Sequence, residues 1–218
     1  GKKINSKKNI LIIREQGVGD EILYGTMYND FLNLFKNVSI ETDKRLIKIF
    51  DNSFNFTKEK IFFPLGTFSE DTTKIKKFDV VFYAGSIGRF VRADIKNFPK
   101  KEYLKADPIL FHKIKDNLNK KFFKFKVGIS WKSFKTQFDK QKSIELDTIL
   151  PILKIPNIEF INLQYGNVDK ELDVFNNQFK TNIKTIKNLD LFNDLDSVAA
   201  LLKNLDLFIT VSNSTAHL

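Results

Sequence analysis

The run Asn9-Ile-Leu-Ile-Ile-Arg14 constrains this chain more than any other feature. Four successive apolar residues leave neither face of a strand polar, so the strand must be covered on both sides. A turn, Gly17-Val-Gly19-Asp20, follows it. Glu21 to Lys36 then places Ile22, Leu23, Met27, Phe31, Leu34 and Phe35 at helical spacing. The alternation continues with a strand at Val38–Thr42, a short helix to Phe50 capped by Asp43, a strand at Lys60–Phe63 stopped by Pro64, and a strand at Phe78–Ala84. Such alternation predicts a parallel sheet with helices on both faces. Ligands of such sheets bind at the carboxyl ends of the strands. The loops after Arg14 and after Ala84 (Gly85-Ser-Ile-Gly88-Arg89) both lie there.

The pattern then restarts. A helix is expected over Pro108–Lys120, and a basic stretch, Lys120 to Lys126, leads into the strand Val127-Gly-Ile-Ser-Trp131. Beyond it come a helix at Leu146–Leu153, strands at Glu159–Gln164 and Asn182–Ile186, a helix at Asp196–Asn204 capped by Asp194 or Asp196, and a buried strand at Asp206–Val211. Ser212 to Leu218 turns toward a further helix. The expected division is 1–122 and 123–218, two Rossmann-like α/β domains with separate parallel sheets. Because the chain starts at Gly1 and stops just after a buried strand, it is expected to be a fragment, its second domain incomplete.

Composition removes several classes of function. The chain has no cysteine, so disulfides and thiolate metal sites are excluded. Its only histidines are His112 and His217, too few for a histidine-based zinc cluster, and no metal site is expected. No run reaches the roughly 18 apolar residues of a membrane helix. The 23 Phe are read as core filler. The net charge of +10 is concentrated between Lys100 and Lys142, where 13 Lys face four acidic residues. That block reads as a solvated lysine surface or as a site for nucleic acid, anionic lipid or a small anion. It is nearly pure Lys, without the spaced Arg and aromatics of most nucleic-acid binders.

Four clusters carry candidate chemistry. At Gly17-x-Gly19-Asp20 the two glycines let the backbone approach a ligand, but Ile22 occupies the third position of a dinucleotide fingerprint, which therefore fails. Asp20 either caps the following helix or stands as a carboxylate at the mouth of a site. Lys132 and Ser133 at a strand end, with Lys142 after a polar loop, suit a diphosphate or merely decorate the surface. Gln164 and Tyr165 end another strand and could read and stack on a base. Ser212, Asn213, Ser214 and Thr215 open a helix, where they bind an anion or serve as ordinary caps. His217 falls in its first turn.

Together, Glu15-Gln-Gly-Val-Gly-Asp-Glu21, Tyr103–Asp107, Val127–Trp131, Ser143–Leu146, Asn162–Gly166, Asp196–Leu201 and Asp206–Leu218 resemble, in order and over nearly the whole chain, one family. It is the glycosyltransferase-like domain found downstream of tetratricopeptide repeats in bacterial proteins. That domain is related to the ADP-heptose:lipopolysaccharide heptosyltransferases of glycosyltransferase family 9. The resemblance implies a GT-B fold: acceptor contacts in the first domain, a nucleotide-diphosphate sugar held by the second, and a cleft between them. It implies no metal and no cofactor, the nucleotide-sugar being a substrate. Asp20 matches the family's general base. The acceptor would be a glycan, a lipid-linked molecule or a protein, and the location cytoplasmic or peripheral at the inner membrane. Where the heptosyltransferases usually carry Asp-Thr-Gly, this chain has Ser212-Asn213-Ser214, which leaves the donor sugar open. A non-catalytic binding module is the alternative.

Overall fold

A computed structural model describes residues 5–54, 60–118, 125–133 and 142–218. Parts of the Lys100–Lys142 block therefore lie outside the described residues. The chain forms two compact units, Gly1–Lys105 and Ala106–Leu218.

In the first unit, β1 (Asn9–Ile13) leads through a turn into α1 (Val18–Gly25) and α2 (Tyr28–Leu34). Then come β2 (Asn37–Thr42), α3 (Ile47–Ser53), β3 (Phe62–Pro64), β4 (Val80–Tyr83) and a short α4 (Gly88–Val91). All pairings are parallel and the strand order is β3-β2-β1-β4. Ile10, Leu11 and Ile12 are fully buried, as a central strand covered on both faces requires. Pro64 closes β3 at the sheet edge, where a missing N–H costs no ladder bond.

The single helix expected over Glu21–Lys36 is instead two. The Thr26 hydroxyl bonds back to the Leu23 carbonyl at 2.7 Å, and the Thr26 carbonyl accepts the Arg92 guanidinium at 2.6 Å. That carbonyl is thus diverted to Arg92, and the chain turns into α2. Many of the phenylalanines fill the core, although Phe98, Phe125 and Phe192 are exposed. Phe50, Phe54 and Phe62 ring Tyr28, and Phe31, Phe35, Phe82 and Phe90 form a second group of touching rings.

The second unit opens with α5 (Pro108–Leu118), followed by β5 (Phe125–Ser130), α6 (Leu150–Leu153) and β6 (Ile158–Asn162). It ends with α7 (Asp169–Phe179), β7 (Ile183–Lys184), α8 (Leu195–Leu202) and β8 (Leu207–Thr210). Its strand order, β7-β6-β5-β8, reproduces that of the first unit, again all parallel. The division falls at 105/106 rather than near 122 because α5 belongs to this unit. Its Ile114 shares a core with Ile161, Leu163, Ala200 and Leu201, and Asn204 on the α8 side donates to the Phe111 carbonyl at 3.0 Å.

Helix α7 is absent from the sequence expectations, although Leu172, Phe175 and Phe179 have helical spacing and Asp169 and Glu171 occupy the first turn. The helix expected over Leu146–Leu153 begins as a 3-10 turn, Leu146–Ile149. After β8 the chain enters a 3-10 turn, Ser214–His217.

Candidate functional site

Both sheets reverse their strand order next to the first strand of the unit, between β1 and β4 and between β5 and β8. The crevice at such a switch point is where open α/β sheets bind ligands. In each unit a side chain bridges it.

In the first unit the bridge is Glu15. Its Oε1 accepts the Gly85 amide at 2.7 Å, joining the loop after β1 to the loop after β4. Gln16 follows at φ 65°, in left-handed conformation, with its carbonyl held by Arg14 Nη2 at 3.0 Å. That bend delivers Gly17 to the start of α1, and Gly19 sits half-buried in the first turn of that helix. Asp20 Oδ2 accepts the Gly17 amide at 3.0 Å, so the carboxylate does close the helix start. One oxygen suffices for this. Asp20 Oδ1 takes no hydrogen bond from any described residue. Burial pushes the Tyr24 hydroxyl up, and the charges of Glu15 and Asp20 push it further, which places that hydroxyl in the field of both carboxylates.

Glu21 supports this site from beneath. It is fully buried, and its Oε2 accepts Thr42 Oγ1 at 2.7 Å and the Asp43 amide at 2.9 Å. Arg14 Nε lies 2.9 Å from its other oxygen. Burial raises the Glu21 carboxyl in spite of these partners. Arg14 Nη1 also reaches Asp43 Oδ2 at 3.2 Å, so one guanidinium clamps the carboxyl ends of β1 and β2.

In the second unit the bridge is Asn213. Its Nδ2 donates to Ser130 Oγ at 2.8 Å, and its Oδ1 accepts the Ala216 amide at 3.2 Å. Gln164 does the same between β5 and β6. Its Oε1 accepts Ser130 Oγ at 3.0 Å, the Trp131 amide at 2.9 Å and the Lys132 amide at 2.7 Å, while Nε2 donates to the Tyr165 carbonyl at 3.0 Å. Gln164 is 1% exposed and its carboxamide is spent on the strand ends, which corrects the expectation that it faces a base. Tyr165 is half-buried against Phe192.

Lys132 Nζ is 2.6 Å from Glu171 Oε2, and the Trp131 indole donates to Glu171 Oε1 at 3.1 Å. The ammonium is positioned by an anion rather than waiting free for one. Ser133 is buried, its amide donating to Ser143 Oγ at 3.0 Å, which brings the chain after Lys142 back to the end of β5. Thr215 is buried, Ser214 half-buried, and Lys142, Ser212 and His217 exposed.

Thus Ser130, Lys132, Gln164 and Asn213 converge at one strand-end cluster, and Glu15, Gly17, Asp20, Tyr24 and Gly85 at another. Glu15, Tyr24, Gly85 and Glu171 are not among the site residues expected from the sequence. Glu15 and Gly85 lie in the two strand-end loops that the strand pattern marks. No spacing could pair them, since they are 70 positions apart. Among the described residues no group of His, Asp or Glu could hold a metal ion, and no helix is long and apolar enough to cross a membrane.

Two solved structures share this architecture. ADP-heptose lps heptosyltransferase II of E. coli superposes with a TM-score of 0.63 at 10% identity, covering 94% of this chain and 80% of its own. A glycosyl transferase family 9 protein from Veillonella parvula superposes with a TM-score of 0.61 at 8% identity, covering 98% and 78%. The chain has the fold of these transferases. In sequence it is 30% identical over 222 aligned positions to Protein FlbA of Caulobacter vibrioides, which covers 97% of this chain. It spans only 37% of that relative's length. No protein-family model matches the chain.

Proposed function

We propose that this chain is a glycosyltransferase that moves a sugar from a nucleotide-diphosphate donor to a hydroxyl of a glycan, lipid-linked or protein acceptor. The observation that carries this reading is Asp20: a carboxylate at the switch point of the first sheet, fixed through one oxygen, with the other unengaged by any described residue. The names of the two structural neighbours, a heptosyltransferase and a family 9 glycosyl transferase, support it.

In this reading Asp20 Oδ1 takes the proton from the acceptor hydroxyl as its oxygen attacks the anomeric carbon. The bond from that carbon to the diphosphate oxygen breaks, and its electron pair leaves with the nucleoside diphosphate. A departing diphosphate needs hydrogen-bond donors and a cation, and within the second unit the Ser212 hydroxyl, the Ser214 and Thr215 amides and the Lys132 ammonium, which Glu171 steadies, are groups of that kind. The step as written needs no metal or cofactor.

Calorimetric titration of the protein with ADP, GDP, UDP, CDP and dTDP tests the donor site. One of them is expected to bind at submillimolar concentration, and the absence of binding by all five at millimolar levels rejects the assignment.

A second reading, a binding module without turnover, draws on Asn213 and Gln164. Both carboxamides are buried and committed to the protein's own strand ends. It predicts donor binding without transfer to any acceptor.

A further inference from the structure

The first sheet has a second concave feature, at its opposite end. A cavity of about 580 Å³ opens at the amino ends of the strands, bounded by Asn9 of β1, Asn37 of β2, Lys60 and Ile61 before β3, and Lys77 and Phe78 before β4. Along β1 alone, four residue steps of about 3.3 Å separate this end from the Asp20 end, roughly 13 Å of strand.

Among the described residues, three lysines line it, each from a different connection. Lys36 lies between α2 and β2, Lys60 precedes β3, and Lys77 ends the 3-10 turn before β4. Among the described residues, no aspartate or glutamate lines the cavity. Asp79, next in sequence to the lining residue Phe78, is held by Lys8 at 2.9 Å and by the Asn9 amide at 2.9 Å, and Asp51 of α3 lies within the field of Lys60. Lys36 and Lys77 form no ion pair among the described residues. Lys60 also lies over the Phe63 ring, 5.3 Å from its centre. Leu32, Phe35 and Phe78 supply apolar wall, and Asn33 and Ser39 supply polar groups.

Gathering three ammonium groups around one concavity costs electrostatic free energy, and low-dielectric walls concentrate the resulting positive potential. An anion relieves that cost. Lysine acts on phosphate as a point charge and needs no planar match, and the volume is in the ordinary range for small-molecule sites. We propose that this cavity binds a small ligand carrying two or more phosphate groups, at a site separate from the Asp20 end of the sheet.

The test is an amide-resolved NMR titration of the 218-residue chain with pyrophosphate and, separately, ADP. Saturable shifts are expected at Asn9, Asn37 and Phe78. The double variant Lys36→Gln/Lys77→Gln, or Lys60→Gln on its own, is expected to weaken binding at these amides about tenfold. The charge-matched control Lys113→Gln/Lys187→Gln, exposed lysines of the other unit, is expected to change it less than about twofold. Tighter binding of ADP than of pyrophosphate would assign the apolar wall to a nucleoside, and equal binding would assign the phosphates alone. Equal weakening by both double variants, or unsaturable shifts spread over the lysine surface, would overturn the site. Shifts confined to Ser212–Thr215 would overturn it too, while favouring the donor pocket proposed above.

Discussion

Gly85 donates its amide to Glu15 at 2.7 Å, and the same glycine leaves no space for a side chain. A Cβ at position 85 would collide with the Glu15 carboxylate and lie 3.2 Å from the Tyr24 ring and 3.3 Å from its hydroxyl. Gly85→Ala must therefore displace the carboxylate that bridges the switch point. The expected cost is about 1–2 kcal/mol by urea denaturation, as for other small overpacking changes. A variant as stable as the parent would show that Glu15 is not held there in solution.

Asp20 has two roles that substitution can separate. An asparagine at this position can still accept the Gly17 amide but cannot take a proton, whereas an alanine can do neither. Asp20→Asn is expected to leave the melting temperature nearly unchanged and to cut transfer by roughly 10²–10⁴-fold. Asp20→Ala is expected to lose about 1 kcal/mol of stability in addition. Near-normal turnover of the asparagine variant, measured with a donor that binds, would reduce Asp20 to a helix cap.

Gln164 makes a contrary prediction for a residue whose position at a strand end suggests a base contact. Removing its carboxamide leaves the Ser130 O–H and the Trp131 and Lys132 amides without their acceptor. Gln164→Ala is expected to destabilise the protein by about 2–4 kcal/mol, because buried donors left unpaired forfeit their hydration as well as their bond. A variant that unfolds at the parental urea concentration but binds nucleotide poorly would restore the base-reading role.

Acid stability should report the clamp around Asp43. Burial alone would raise this carboxyl, but the hydrogen bonds from Arg45 and the charges of Arg45 and Arg14 outweigh it and hold the group at about 2. A carboxylate depressed on folding stabilises above its unfolded pKa, and that contribution fades as pH falls through the folded value. Between about pH 4 and pH 2 the protein is expected to lose about 1–2 kcal/mol through this group, discounted for solvent around its partners. Asp43→Asn should be less stable at neutral pH and should flatten the curve in that window. Parallel curves for parent and variant would show the clamp to be absent in solution. Glu21, raised by burial, works in the opposite direction, its contribution fading as pH rises.

What the sequence determined by itself is the class of fold and the location of its working ends. Apolar runs such as Ile10–Ile13 and Val127–Ile129 can only be central strands, and strand–helix alternation makes their sheet parallel, which sends the loops after Arg14, Ala84 and Trp131 to the carboxyl edge. Local chemistry also narrowed the cap of α8 to Asp194 or Asp196, and the structure selects Asp194, which accepts the Ser197 amide at 3.1 Å. Tertiary structure decided the rest. Helical periodicity runs through Thr26 unbroken, and only Arg92, 66 positions away, diverts its carbonyl and breaks the helix there. Gln164 and Asn213 look like ligand-facing polar residues until the strand order brings Ser130 within reach of both. Lys132 looks free until α7 presents Glu171, and Lys36, Lys60 and Lys77 share a cavity only because parallel strands gather their amino ends at one edge. Periodicity records which face a residue buries, but which side chain meets it there is set by strand order and crossover, which no local pattern encodes.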